Sequence, residues 1–514
     1  MYVFETLLVL LLGATVLSIL ARRLGVPYPT LLAVGGALLA FVPGAPRLHP
    51  PPELILALFV APVLLDAAYD SSPRDLRRNW LAVSSLALVA VALTTVAVAF
   101  TARQLMPDMP WAAAIALGAL VAPPDAVAAL AVLRQVAPPH RMRIVLEGES
   151  LLNDASALLI YRLAVGAVAA GGFSLGGAIP TFALVFVGSV VVGWLLARPV
   201  SMLIERMPDA PSSVILQFVS TFGVWLAAER LGLSGVVTIV VFGLMLGRRS
   251  GRTPLPARIR VPSFAIWETV TVVLNVLAFT LIGLQLGPIL EPLSVAERVR
   301  YLLGALVILA VVIFVRLAWA MFHNVAVRLK DRLAPPPPNA MPQASAKEAF
   351  AVGWSGMRGI VTLAAAIALP AAFPHRDFIQ LTAFVVVLGT LVLQGLTLRP
   401  LLQLLKLPSD TVVDTEVALA RKAALKAGVT ALGDDATPAA ERLREEYAEA
   451  LGRAKQGGDV RETPENLLSR RAIQASRVAI ADLRGSGAIG DTAYRRIEEE
   501  LDWLDLSVGK GSDY

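Results

Sequence analysis

The sequence predicts an all-α polytopic membrane protein with about thirteen transmembrane helices and a helical cytosolic domain at its C-terminal end. Three observations predict it. Apolar residues fill 56% of the 514 positions and charged residues 16%, for a mean hydropathy of +0.68; a soluble chain of this length carries more charge. Apolar runs of membrane-crossing length recur as far as Leu407, between polar or Pro/Gly-rich joints. Arg and Lys alternate between those joints, dense in one and sparse in the next.

In order, the runs lie at about 2–21, 29–45, 53–70, 80–102, 110–133, 144–170, 178–198, 213–230, 233–247, 264–287, 300–326, 348–371 and 377–405. The first lacks a basic start and a small-residue cleavage site, so it reads as a retained span rather than a signal peptide. The second and ninth are short for a full crossing. Loops after odd runs hold Arg22 and Arg23; Arg74, Arg77 and Arg78; Arg134, Arg141 and Arg143; Arg198 and Arg206; Arg248, Arg249, Arg252, Arg258 and Arg260; and Arg328, Lys330, Arg332 and Lys347. Loops after even runs hold mainly Arg47, Arg103, Arg230, Arg298, Arg300 and Arg376. The bias predicts an outside N-terminus and a cytoplasmic C-terminus, and a miscounted run would scramble it. Pro335–Pro338 mark the loop 333–343 as an extended cytoplasmic linker.

Beyond Leu407 the chain is charged and Ala-rich, punctuated by Gly433-Asp-Asp, Gln456-Gly-Gly and Gly485-Ser-Gly. Helical periodicity at about 437–455 and 463–483, with acidic residues near the starts, predicts a cytosolic helical domain over 408–514. Its expected role is regulation or assembly, behind a transmembrane domain over 1–407.

Composition also excludes. With no Cys there are no disulfides and no thiolate metal sites, and His49, His140, His323 and His375 have no zinc spacing. The net charge of +6 reflects inner-loop arginines rather than affinity for nucleic acid. No Gly-x-x-x-x-Gly-Lys-Ser/Thr loop is present, so nothing points to ATP.

The chemistry sits in the fifth and sixth runs. Asp125 follows Pro123 and Pro124, which remove two backbone donors and break the helix beside the charge, leaving carbonyls such as that of Pro124 free. An ionisable side chain at the bilayer centre costs at least about 2.5 to 3.5 kcal/mol, so it faces a cavity or a partner. In the sixth run Glu149, Ser150, Asn153 and Asp154 fall on one helical face. Asp154 lies roughly 15 Å into its run, near the midplane. Carboxylates beside freed carbonyls suit a small hard cation or a proton, with Asp154 the main carrier and Asp125 its neighbour.

Seven runs after the broken fifth, the twelfth reads Gly353-Trp-Ser-Gly356-Met-Arg358-Gly359. An odd offset reverses direction, so the two interrupted helices are expected to cross antiparallel, within two inverted six-helix repeats formed by runs one to six and eight to thirteen. Arg358, between two half-helices, would offset the partial charges of their ends. Arg316, Arg358 and Glu268 read as structural ion-pair residues, with Glu149 and Arg316 the first expected pair. Asp66, late in the third run, either lines an entry funnel or ends the span in solvent.

Ala122-Pro-Pro-Asp125-Ala-Val, Glu147-Gly-Glu-Ser-Leu-Leu-Asn-Asp154 and Gly353-Trp-Ser-Gly-Met-Arg358-Gly resemble motifs of the monovalent cation/proton antiporter family, which includes NhaP-type bacterial antiporters and eukaryotic sodium/proton exchangers. Leu64-Leu-Asp66-Ala-Ala and Leu231-Gly-Leu-Ser-Gly235 extend the resemblance over about residues 1–407. It implies a homodimer in which runs 1–3 and 7–10 form a dimerisation domain and runs 4–6 and 11–13 a mobile core. It implies Na⁺ at Asp154, helped by Asp125 and Ser150, with Glu149 holding Asn153 or an Arg. Asn153 before the aspartate implies electroneutral one-for-one exchange. Pro124 and Ala126 stand where many relatives have Thr and Pro, and Asp66 where many have Glu, which leaves Na⁺, Li⁺ and K⁺ open as cargo.

The expectation is a Na⁺/H⁺ antiporter of the cell inner membrane, serving pH homeostasis by alternating access, with no cofactor and no enzymatic activity. K⁺/H⁺ exchange is the alternative within the class, and a cation channel the alternative outside it. An intramembrane hydrolase is disfavoured because Ser150 has no His at comparable depth.

Overall fold

The computed structural model describes residues 2–43, 51–133, 136, 138–169, 175–250, 255–333, 344–408, 412–433, 437–456, 464–486, 488 and 491–508. The proline linker at 335–338 and Arg47, His49, Arg134 and Arg252 lie outside them. Among the described residues every regular element is helical, as the composition predicts. The chain divides into two compact units, Met1–Ser409 and Asp410–Tyr514.

The first unit contains α1 (Tyr2–Leu24), α2 (Tyr28–Leu39), α3 (52–70), α4 (Trp80–Leu105), α5a (Trp111–Val121), α5b (Ala126–Leu133), α6 (His140–Ala169) and α7 (Leu175–Glu205). It continues with α8 (Ala210–Arg230), α9 (Gly235–Ser250), α10 (Ala257–Leu284), α11 (Val295–Leu333), α12a (Ala346–Trp354), α12b (Ile360–Ile367) and α13 (Arg376–Leu405). Eight of these, α4, α5a with α5b, α6, α7, α8, α10, α11 and α13, are long and apolar enough to cross a membrane.

Local chemistry sets the boundaries. Asp209 caps α8 by accepting from Ser212 N at 2.8 Å. Reciprocal Ser/Glu boxes open two more helices: Ser294 with Glu297 at α11, and Ser345 with Glu348 at α12a. α3 and α4 each carry a π-helical turn, at Leu56–Val60 and Ser85–Ala90. Such a turn displaces a carbonyl from its helical partner. In α4 the Ala87 carbonyl accepts from Ser156 Oγ of α6 at 2.9 Å.

The core forms where apolar helices are enclosed by other helices rather than by lipid. The α5 span is the most enclosed, with 72% of its most apolar window buried, and α7 the least, with 17%. Gly36 of α2 and Gly283 of α10 bring two backbones together; a Cβ on Gly283 would strike the Ala33 carbonyl and the Ala37 amide. Small residues allow this approach where lipid provides no hydrophobic drive between helices.

The second unit comprises α14 (Val412–Ala431), α15 (Pro438–Gln456), α16 (Pro464–Gly485) and α17 (Asp491–Val508). α14 packs with α15, and α16 with α17, where Arg477 reaches Asp502 at 2.7 Å and Asp505 at 3.3 Å.

Gly283→Val places its side chain in the α10 backbone contact with α2 and is expected to cost about 1 to 3 kcal/mol. Thermal unfolding of the purified protein in detergent measures this; an unchanged midpoint would show that the two helices separate freely.

Candidate cation site

The fifth helix breaks because Pro123 and Pro124 have no N–H and Pro124 disfavours a helical conformation before it. The break leaves the carbonyls at the end of α5a without intrahelical partners. Arg358, fully buried in the gap between α12a and α12b, takes them up. Its Nε donates to the Val121 carbonyl at 3.0 Å and its Nη2 to the Ala122 carbonyl at 3.2 Å, while Nη1 donates to the carbonyl of Gly356. A cation at the C-terminal end of a half-helix also meets the negative end of its dipole.

The two breaks touch directly. The Asp125 amide donates to the Met357 carbonyl at 2.6 Å, so the non-helical segments of α5 and α12 cross at this point. Gly359 makes room for the crossing, because a Cβ there would occupy the place of the Asp125 carboxylate. The Arg358 amide donates to Thr390 Oγ1 of α13 at 3.0 Å, which ties the second break to a continuous helix.

Asp125 sits at the mouth of α5b, where its Oδ1 accepts from Val127 N at 2.8 Å as a helix cap. α6 supplies the facing side chains. Ser150 Oγ accepts from Ala126 N at 3.3 Å, and Asn153 Nδ2 donates to the Pro124 carbonyl at 3.0 Å. Since the Asn153 amide spends its NH₂ on that carbonyl, its Oδ1 is left buried with no partner among the described residues. Asp154, the next residue, is buried and lies within electrostatic reach of Asp125. The donor set of Asp154, Asp125, Asn153 Oδ1 and Ser150 Oγ is all oxygen, which suits a hard monovalent cation.

Glu149 and Arg316 form a bidentate ion pair between α6 and α11, with Arg316 Nη2 to Glu149 Oε2 at 2.9 Å, and Arg316 also donates to the Val352 carbonyl at 3.3 Å. Both side chains are about as buried as Arg358, at 1% and 2% residue exposure. Glu149 is thus occupied by a guanidinium, whereas Asp154 on the same helix forms no ion pair with another described residue.

Two residues fall elsewhere. Glu268 is expected at depth with a partner, but it is exposed on α10, whose neighbouring Ser263, Trp267 and Leu274 define the buried face. It forms no ion pair with another described residue, and hydrophobicity alone gave no way to tell the packed face from the outer one. Asp66 is half-buried on α3, accepts from Thr271 Oγ1 at 3.5 Å, and lines a cavity with Asp70, Glu205, Gln217 and Trp267. None of the crossing residues lines that cavity.

Sequence reasoning misses Thr390 and Tyr161. Tyr161 Oη donates to the Ala365 carbonyl at 2.8 Å, fastening α6 to α12b. A lone hydroxyl in an apolar helix was the available signal in both cases.

Residues 7–404 match the family model for the transmembrane sodium/hydrogen exchanger. A protein of Mycobacterium tuberculosis named as an uncharacterized Na⁺/H⁺ exchanger is 31% identical over 98% of this chain and 96% of its own length. A low-affinity Na⁺/H⁺ antiporter of Synechocystis is 31% identical over 75% of this chain and 71% of its own. The fold is shared with a solved structure of the sodium proton antiporter MjNhaP1 from Methanocaldococcus jannaschii, at a TM-score of 0.61 and 19% identity over 79% of this chain and 100% of that one. With a family match over most of its length and a full-length relative of that name, the chain belongs to the sodium/hydrogen exchanger family.

Proposed function

We propose that the protein is an electroneutral Na⁺/H⁺ antiporter in which Asp154 holds either one cation or one proton and delivers it by alternating access. The observation that carries this reading is the charge balance at the crossing. Asp154, Asp125 and Glu149 face Arg316 and Arg358, so one negative charge remains when all are ionised. One monovalent cation, or one proton, neutralises it. Desolvation and a like-charged neighbour both favour the neutral form of a carboxylate, which makes cation and proton compete for the same pair.

The unpaired Asn153 Oδ1 and the Ser150 hydroxyl supply further ligands, while the Pro124 carbonyl is taken by Asn153 Nδ2. Pro124 itself contributes no hydroxyl, and this favours K⁺/H⁺ exchange as the second reading within the class. Asp66, whose cavity holds none of the crossing residues, would line only the outer part of a cytoplasmic funnel. In this reading the chain crosses a bacterial-type inner membrane thirteen times, the Arg-rich loops put the N-terminus outside and the C-terminal unit in the cytoplasm, and that unit regulates or assembles a homodimer. Helices α1–α3 and α7–α10 form the dimerisation part and α4–α6 and α11–α13 the mobile core, with the two inverted six-helix repeats, α1–α6 and α8–α13, running through both.

Proteoliposomes carrying a pH dye test the function directly: Na⁺, Li⁺ and K⁺ are added in turn, and dequenching is expected with Na⁺. If no cation moves protons the reading is lost, and steady current without counter-flow would indicate a channel. Asp154→Asn is expected to abolish exchange while the protein still purifies as a folded species. Removing one member of the buried pair, as in Glu149→Leu or Arg316→Met, is expected to lower stability by about 3 to 5 kcal/mol because it strands a charge. The double replacement should recover much of that loss in thermal unfolding; no recovery would show that the pair does more than support α6.

A further inference from the structure

Helices α7 and α9 lie side by side and run in the same direction. Ser234 N donates to Ser189 Oγ across a separation of 45 residues in sequence, Gly188 faces Leu233, and Gly193 faces Thr238 and Phe242. Continued by the same offset, this register sets Arg198 level with Gly243, and Arg248 rather more than one helical turn beyond it. Both arginines therefore stand at one end of the pair. A groove of about 810 Å³ opens there, lined by Trp194, Leu195, Arg198, Met245, Arg248 and Arg249.

The arginines differ in their engagements. Arg249 holds Glu205 at 2.8 Å. The Arg198 and Arg248 side chains are exposed and form no hydrogen bond or ion pair with another described residue. Trp194, one turn from Arg198 on the same face of α7, is 59% exposed. Tryptophan collects at the boundary between acyl chains and headgroups, and α7 is the least covered of the eight long apolar helices. The groove thus combines an apolar wall at membrane depth with two uncompensated guanidinium forks at the level of the headgroups.

We infer that this groove seats an anionic phospholipid, with its headgroup phosphate between Arg198 and Arg248 and its acyl chains against Trp194 and Leu195. A basic pocket between membrane helices suits an acidic headgroup, and guanidinium suits the phosphate oxygens in particular. Although α7 and α9 belong to the part proposed to dimerise, a second copy is a poorer occupant of the groove itself, since a twofold contact centred there brings like-charged arginines toward each other. The inference rests on α7 and α9 being membrane helices, and not on the cargo or mechanism of transport.

The test uses the full chain purified in detergent, with lipid bound per protein counted by native mass spectrometry and thermal unfolding followed alongside. Phosphatidylglycerol is expected to bind and raise the unfolding midpoint, while phosphatidylcholine and inorganic phosphate leave it in place. Arg198→Gln with Arg248→Gln should weaken phosphatidylglycerol binding about thirtyfold and leave the lipid-free midpoint unchanged. Arg198→Lys with Arg248→Lys, which keeps the charge, should retain part of the binding and guards against a folding defect in the first variant. Equal stabilisation by phosphatidylcholine, an undiminished phosphatidylglycerol effect in the Gln variant, or an effect of inorganic phosphate alone overturns the proposal. A change in oligomeric mass of the lipid-free Gln variant also overturns it and assigns the groove to a second copy.

Discussion

A helix interrupted inside a membrane must find partners for the backbone groups it releases, because no water is available there to take them. The Arg358 guanidinium meets that constraint, and much of the crossing depends on it. Three carbonyls from two different breaks converge on one side chain. Other released groups are met nearby, by Asn153 at Pro124, Ser150 at Ala126, Met357 at Asp125 and Thr390 at Arg358 itself. Irregular backbone at this depth is tolerated where it is buried in protein, and the enclosure of α5 reflects that requirement.

The same helix, α6, carries two acidic residues with opposite fates. Glu149 is closed by a two-pronged contact with Arg316, so its charge is balanced by a guanidinium. Asp154, on the neighbouring part of the face, sees a carboxylate rather than a guanidinium. A buried pair left with one partner is strongly destabilised, so Glu149 is held to a supporting role and Asp154 is the carboxylate left for the exchange proposed above. Asn153 lies between them in sequence and shows a similar division within a single amide: the nitrogen braces the break, and the oxygen is left over.

Much of this was legible in the sequence. The hydropathy runs located the helices but missed their ends by up to about two helical turns, as at α7, α10 and α11, and the Pro-Pro-Asp and Gly-rich stretches marked both breaks. The acidic face of α6 was readable from helical spacing alone. What was not legible followed from contacts made by backbone or by isolated side chains. The Met357 carbonyl has no residue-type signature, and Thr390 and Tyr161 are single hydroxyls among many in apolar helices. The exposure of Glu268 depends on which face of α10 meets its neighbours, and that is decided by packing between distant segments. The π-helical turns of α3 and α4 were likewise invisible, since they change the carbonyl directions without changing the hydrophobic pattern.

The Asp125 carboxylate rests in a hollow that exists because Gly359 has no side chain. A hollow shaped by missing atoms holds its form whichever charge state sits inside it, unlike a cradle of flexible polar groups that must turn to follow each new occupant. On the exchange proposed above, the backbone frame around the break would offer the same shape to a metal ion and to hydrogen. In that proposal the larger movement of alternating access is governed by the net charge of the site instead of by a remodelling of its walls.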